Sequence, residues 1–177
     1  MRNDSRKLII LALLLIIAIL VGIIIYQNYR FAEEKKNILK YIASSFSSNL
    51  LQLCGDMDIL LYLLEHNATV DPMRYVLENI EYNSHALSSI YSILYQYTKE
   101  QKYWKWHLVF EEIGDFAMDL KTDESKTLLK RLQEKAALLE EISTLLQKIA
   151  HNYRDLELTP TEEIDKVLSK VNELLTT

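Results

Sequence analysis

The sequence from residue 8 to residue 26 reads LIILALLLIIAILVGIIIY, and it decides the fold because none of its 19 side chains is charged. As an α-helix this run is about 28 Å long, which is enough to cross the hydrocarbon core of a bilayer. Arg6 and Lys7 precede it, and Tyr26 and Tyr29 stand at its other end, where membrane helices carry aromatic residues. The run predicts a transmembrane helix over residues 8–26 that contacts membrane lipid.

A cleaved signal peptide and a helix of a soluble core also contain apolar runs, and the residues here argue against both. A cleaved signal peptide has a shorter apolar core followed by a cleavage site of small residues, and no such site occurs before Gln27. A helix that packs against the core of a soluble protein keeps a polar face for water, and this run has none. We therefore expect a retained, single-pass anchor in the cell membrane.

The charges beside the run set the expected orientation. The short basic tail, residues 1–7, carries three basic residues against one acidic residue. Four basic residues also follow the run, so the positive-inside count is nearly balanced. Because the positive charges of the tail lie directly against the apolar run, we expect a cytoplasmic N-terminus and an extracytoplasmic domain over residues 27–177.

The domain has the composition of a helical protein. The chain contains only 3 Gly and 2 Pro, which leaves little material for β-turns. Apolar residues recur at intervals of three and four, which predicts an all-α fold: an antiparallel bundle of four helices plus a short fifth. The net charge of the chain is -5, and the tail contributes positive charge, so nucleic acid is not an expected partner of the domain.

Apolar rows locate the individual helices of the bundle. The first row continues from the membrane run to Leu64, with a kink allowed at Gly55. The other rows are Met73, Leu77, Ile80, Ser84, Leu87, Tyr91, Leu94 and Thr98; Trp104, Leu108, Ile113, Phe116, Ala117 and Leu120; Leu128, Leu132, Ala136, Leu139, Ile142, Leu146, Ile149 and Tyr153; and Ile164, Val167, Leu168, Val171, Leu174 and Leu175.

Capping residues predict where two of these helices begin. Asp71 followed by Pro72 is typical of an N-cap and a first helical position, where the missing N–H of proline is not needed. Thr159, Pro160 and Glu162 have the spacing of a capping box, in which a threonine and an acidic side chain satisfy each other's backbone N–H groups.

Residues that could carry chemistry are few. The sequence has no Gly-rich phosphate loop, nucleophile elbow or zinc-protease helix. Its one cysteine, Cys54, excludes an internal disulfide, and we interpret it as a small buried apolar residue. His107, Glu111 and Asp115 share a helical face and could hold a metal, although solvated side-chain contacts, expected by chance at this spacing, are the simpler explanation. We expect no catalytic residues, no cofactor and no resident metal.

Aromatic residues are concentrated in the second helix and the turn that follows it. Tyr and Trp are frequent anchors of protein interfaces. They are also ordinary residues of a bundle core, with the polar edge of the ring kept in water, and this interpretation stays open. The candidate surface for a partner or ligand comprises Tyr95, Tyr97, Tyr103, Trp104 and Trp106.

These features predict a membrane-anchored, non-enzymatic helical protein that acts in interaction or as a scaffold. Its partner is expected to be another protein or a second copy of the chain. One alternative is a sensory or ligand-binding ectodomain, which would have to signal through a partner because the basic tail is short. A third hypothesis is a metal-dependent enzyme that binds its metal through His107, Glu111 and Asp115.

Overall fold

The computed structural model describes the backbone of residues 2–152 and 159–175, and the side chains of residues 13–35, 37, 38, 48–152 and 159–175. The described elements are all α-helices, which confirms the predicted class. They are α1 (Arg2–Glu65), α2 (Val70–Thr98), α3 (Gln101–Thr122), α4 (Ser125–Asn152) and α5 (Thr161–Leu175). The chain divides into two units, Met1–Ile42 and Ala43–Thr177.

The first unit contains an apolar part of α1 that is long enough to cross a membrane. This part is Leu13–Lys35, and its most apolar stretch of 18 residues is not buried against any other described part of the chain. Length and composition of this kind also occur in signal sequences. The side chains of residues 8–12, which begin the predicted span, lie outside the described residues.

The second unit is the predicted bundle of four helices plus a short fifth. Residues 43–65 of α1 form its first helix, and α2 packs along most of α3. The short helix α5 packs against both α3 and α4. The fully buried side chains of greatest volume are Trp106, Tyr91, Tyr103, Phe110, Leu50, Leu53, Met57, Leu60, Met73, Leu77, Leu87 and Ile113.

The apolar row predicted for α2 is buried from Met73 to Leu94, as expected, whereas the row predicted for the start of α3 is wrong. Trp104 is 38 % exposed, and Leu108 is half-buried. The core instead takes Tyr103, Trp106 and Phe110, which continue at three- and four-residue steps from Ile113. The observed orientation of α3 buries these three aromatic rings. It therefore buries more apolar surface than the predicted row would. Tyr153, predicted to end the α4 row, lies outside the described residues.

Both predicted helix starts are displaced. The helix α2 begins at Val70 with Thr69 as its N-cap, so Asp71 lies in the first turn and Pro72 occupies the third helical position. That position suits proline because the first four N–H groups of a helix have no intrahelical partner. Asp71 still interacts favourably with the positive end of the helix dipole.

The capping box at α5 does not form. Among the described residues, the buried Thr159 Oγ1 has no hydrogen-bond partner. The backbone carbonyl of Pro160 instead accepts hydrogen bonds from the N–H groups of Glu163 and Ile164, at 3.0 and 3.4 Å. The helix therefore begins at Thr161, one residue later than the capping box predicts.

Two helices of the bundle end in left-handed residues. Asn67 (φ 49°) follows α1, where the N–H of Ala68 donates to the carbonyl of Leu63 at 3.0 Å in a Schellman-type turn. Lys99 (φ 59°) follows α2, and its N–H donates to the carbonyl of Tyr95 at 2.8 Å. Asparagine tolerates this conformation, but lysine adopts it at a cost that glycine does not incur. The turn between α2 and α3 is therefore strained at Lys99.

The strain at Lys99 predicts that Lys99→Gly stabilises the protein by about 0.5–1 kcal/mol. Lys99→Ala retains the strain and removes only a solvent-exposed contact of the ammonium group with the Tyr95 ring, 5.8 Å from its centroid. We expect the alanine variant to be no more stable than the wild type. Chemical denaturation of the detergent-solubilised full-length chain measures both, and an equal gain in the two variants would contradict the explanation.

One buried carboxylate lies between α1 and α2. Asp56 is 8 % exposed, and its Oδ2 accepts a hydrogen bond from Nδ2 of the buried Asn83 at 3.0 Å. Burial raises the pKa of Asp56, and the hydrogen bond from Asn83 only partly opposes this shift. The folded chain therefore holds this proton more tightly than the unfolded chain does.

The sign of this pKa shift predicts a pH-dependent effect of Asp56→Asn. The contribution of Asp56 to stability is greatest below the unfolded pKa of 3.8 and falls as the pH rises through the folded pKa. Asparagine keeps an oxygen for Asn83 and carries no charge. The variant should therefore be more stable than the wild type at pH 7, and this advantage should shrink as the pH approaches 3.8. Urea denaturation from pH 3 to pH 8 measures the free energy of unfolding of both proteins. Glu140→Gln, which replaces an exposed carboxylate, is the control and should show no such pH-dependent advantage.

Candidate functional site

The five aromatic residues predicted as one surface occupy three different places in the bundle. Tyr103 and Trp106 are buried in the core, and Tyr95 and Trp104 contact each other at the side of α2 that faces α3. Tyr97 is 72 % exposed. It lies two residues after Tyr95, which on a helix is about 200° around the axis, so the two tyrosines point to nearly opposite sides. A single surface cannot include all five.

The buried pair belongs to an aromatic cluster between α2 and α3. The ring of Tyr91 stacks on Trp106 and Phe110, with centroid distances of 5.8 and 5.6 Å, and Trp106 stacks on Phe110 at 5.3 Å. Tyr103 lies 6.3 Å from Tyr91. Burial raises the pKa of Tyr91 well above its ordinary value, so its hydroxyl stays neutral. The cluster joins the two helices and is not available to a partner.

The second place is a row of three rings at the edge of the α2–α3 contact. The Trp104 ring lies 5.3 Å from Tyr95 and 4.8 Å from His107, tilted by 46° and 49°. Each ring already contacts its neighbour, so much of the apolar surface is covered within the chain. The row therefore offers a partner less free apolar surface than its composition suggests.

His107 also has polar neighbours of the types that occur in nucleophilic enzymes. Its Nδ1 lies 2.7 Å from Ser88 Oγ, and its Nε2 lies 3.4 Å from a carboxylate oxygen of Glu111. Ser88 is only 5 % exposed, so a substrate carbonyl cannot approach its Oγ while α2 and α3 stay packed. We interpret the Ser88–His107 contact as a polar link between the two helices.

The metal alternative drawn on His107, Glu111 and Asp115 receives no support from the geometry. Among the described residues, no group of three His, Cys, Asp or Glu side chains stands close enough to hold a metal ion. Cys54 is 2 % exposed, in agreement with its interpretation as a buried apolar residue. Burial and the nearby charge of Asp58 raise the pKa of the Cys54 thiol to about 12, so it is protonated and unreactive at neutral pH.

The third place is the outward side of α2, where Tyr97 belongs to a longer row that we call the outer row. It consists of Tyr75, Tyr82, Ile93 and Tyr97, which are 67, 75, 48 and 72 % exposed. At 100° per residue these positions fall within roughly 40° of one line along the helix, and the row is about 33 Å long. Four large, exposed apolar side chains in one line form the most extensive such feature on α2.

A cavity of about 390 Å³ adjoins the outer row, and we call it the acidic cavity. Tyr82 of the outer row lines this cavity, together with Ala86 and two acidic residues, Glu78 and Glu81. The ammonium group of Lys121 makes a salt bridge with Glu81, and this contact raises the pKa of Lys121. The remaining lining residues are His85 and Ser89.

His85, which lines the acidic cavity, makes a close contact with α3. Gly114 of α3 is buried directly beneath the ring of His85, and a Cβ atom at position 114 would lie 2.9 Å from His85 Cε1. Any other residue at Gly114 would therefore displace His85. The glycine therefore allows the ring of His85 to lie close against α3.

The predicted surface omitted Tyr75, Tyr82 and Ile93 and grouped Tyr97 with residues that lie elsewhere. The signal was present in the spacing: positions 75, 82, 93 and 97 are separated by 7, 11 and 4 residues, which places them on one helical face. This face is opposite the buried row of α2, so its apolar side chains are not needed for the core. In comparisons with known proteins, no family model, curated protein or solved structure matches the chain.

The different places of the two tryptophans predict different losses of stability. Trp106→Ala removes a fully buried ring and should destabilise the fold by about 3–5 kcal/mol. Trp104→Ala removes a partly exposed ring with two aromatic neighbours and should cost about 1 kcal/mol. Thermal and urea unfolding of the full-length variants in one detergent measures the difference. Equal losses would show that the two rings are not divided between core and surface in this way.

Proposed function

We propose that this chain is a membrane-anchored, non-enzymatic helical protein that binds another protein through the outer row of α2. The observation that carries the proposal is the exposure of Tyr75, Tyr82, Ile93 and Tyr97 along one helical line. The helix α2 packs along most of α3, and the outer row contains the large apolar residues that α2 exposes.

The exposed apolar residues of α1 from Leu13 to Tyr26, which lie within the candidate span Leu13–Lys35, support the anchor. Their Leu, Ile and Val side chains would face lipid tails rather than water, which removes the unfavourable hydration of a bare apolar helix. In this proposal the N-terminus is cytoplasmic, and residues 27–177 lie on the extracytoplasmic side.

The composition of the outer row favours a protein as its partner. Tyrosine has a large apolar ring, few rotatable bonds and a polar hydroxyl, and it is enriched among the residues that dominate binding energy at protein interfaces. In this row the exposed rings stand seven and fifteen residues apart, as in a helix face that packs lengthwise on another element.

The charge of the domain argues against two other classes of partner. Residues 43–177 contain 13 Lys and Arg against 22 Asp and Glu, a net charge of -9. Nucleic acid and the headgroups of anionic lipids both carry negative charge, so this domain repels them. A protein with a neutral or basic surface has no such barrier.

The proposal predicts that a Tyr75→Ser, Tyr82→Ser double variant loses its partner. Each ring that is buried at an interface contributes roughly 2 kcal/mol, so the recovered partner should fall by about tenfold or more. The measurement is a pull-down of detergent-solubilised full-length protein from its native membrane, with the ratio of partner to bait determined by mass spectrometry.

Tyr62→Ser is the matched control, because Tyr62 is 58 % exposed but lies on α1, outside the outer row. It should retain the partner at the wild-type ratio. All three replaced side chains are exposed, so thermal unfolding should change little in either variant. If the double variant keeps the partner, or if no protein is recovered with the wild type, the proposal is wrong.

A further inference from the structure

We infer that the partner presents an amphipathic helix with a basic edge, and that a lysine or arginine of this helix enters the acidic cavity beside Tyr82. This inference rests on the proposed function and adds the chemistry of the partner. Its apolar residues would lie along the outer row, and its cationic side chain would reach the carboxylate of Glu78.

The cations nearest the acidic cavity are already engaged within the domain. Lys121 makes a salt bridge with Glu81, and the Arg74 guanidinium donates hydrogen bonds to the backbone carbonyls of Lys121 and Asp123. Glu78 is exposed, and its negative charge helps to raise the pKa of Lys121. The salt bridge of Lys121, however, is with Glu81. The carboxylate of Glu78 is thus the anion that a partner can reach.

The acidic cavity has the dimensions and surroundings for one long basic side chain. Its volume of about 390 Å³ accommodates a lysine or arginine, and Tyr82 and Ala86 provide apolar surface for the methylene stem. The exposed ring of Tyr82 can also attract the cation through its π electrons. A carboxylate, an apolar wall and an aromatic ring at one opening are complementary to a basic side chain.

The geometry of the outer row favours a helix over a loop as the occupant. The row is straight and about 33 Å long, which matches roughly six helical turns of a partner lying alongside α2. A second copy of the chain fits less well, because two domains with a net charge of -9 each repel one another at this acidic border.

The test uses the full-length chain in nanodiscs of zwitterionic lipid and two labelled 21-residue model peptides. Both peptides form an amphipathic helix with a leucine row, flanked by lysines in one and by glutamates in the other. Fluorescence anisotropy measures binding to the wild type, to Glu78→Lys and to Glu140→Lys. Glu140 is exposed on α4, so its reversal changes the net charge equally but leaves the acidic cavity intact.

The lysine peptide should bind the wild type, and the glutamate peptide should not. Glu78→Lys should weaken binding of the lysine peptide by roughly fivefold to tenfold, whereas Glu140→Lys should change it by less than about twofold. Tyr82→Ser should also weaken it, which covers the case in which Glu78→Lys disturbs the local fold. Equal weakening by the two charge reversals, or equal binding of both peptides, would overturn the inference.

Light scattering of the wild type in detergent tests the second-copy alternative. We expect a monomer, and a dimer that Tyr82→Ser dissociates would overturn the inference. The proposed function fails separately, when the outer-row double variant still recovers the native partner. If that variant loses the partner but Glu78→Lys binds the lysine peptide as well as the wild type does, only the basic-helix inference is wrong.

Discussion

The stacking of Tyr91 of α2 on Trp106 and Phe110 of α3 determines which side of each helix faces the core. Because the three rings are fully buried, a rotation of α2 by one residue would expose Tyr91 and leave a void beside Trp106. With this register fixed, positions 75, 82, 93 and 97 must point away from the core. The exposed outer row is thus a consequence of how the buried cluster packs.

The fold class was predictable from the sequence, because few glycines and prolines and long three- and four-residue periodicities leave helices as the only regular structure. The buried row of α2 was predictable for the same reason. The start of α3 was not, because Tyr103, Trp104, Trp106 and Leu108 supply two overlapping apolar rows. The packing against Tyr91 of α2, a contact between helices that the periodicity of α3 does not show, decides between these rows.

The candidate site was predictable in residue type but not in position. Tyrosine and tryptophan in one short segment indicated an interaction surface, yet spatial grouping depends on angle around the helix rather than on nearness in sequence. Tyr95 and Tyr97 are close in the chain and point apart, whereas Tyr75 and Tyr97 are far apart and share a face. The acidic cavity could not be predicted, since its lining joins residues of α2 to Lys121 of α3, which only the packing of the two helices brings together.

In our proposal, a protein covers the outer row of α2 in the native membrane. Hydroxyl-radical footprinting with mass spectrometry tests it directly, by comparing tyrosine oxidation in the native membrane with oxidation of the purified protein. We expect Tyr75, Tyr82 and Tyr97 to be protected in the membrane and reactive after purification, while Tyr62 is reactive in both. Equal reactivity of the outer-row tyrosines in the two preparations would contradict the claim.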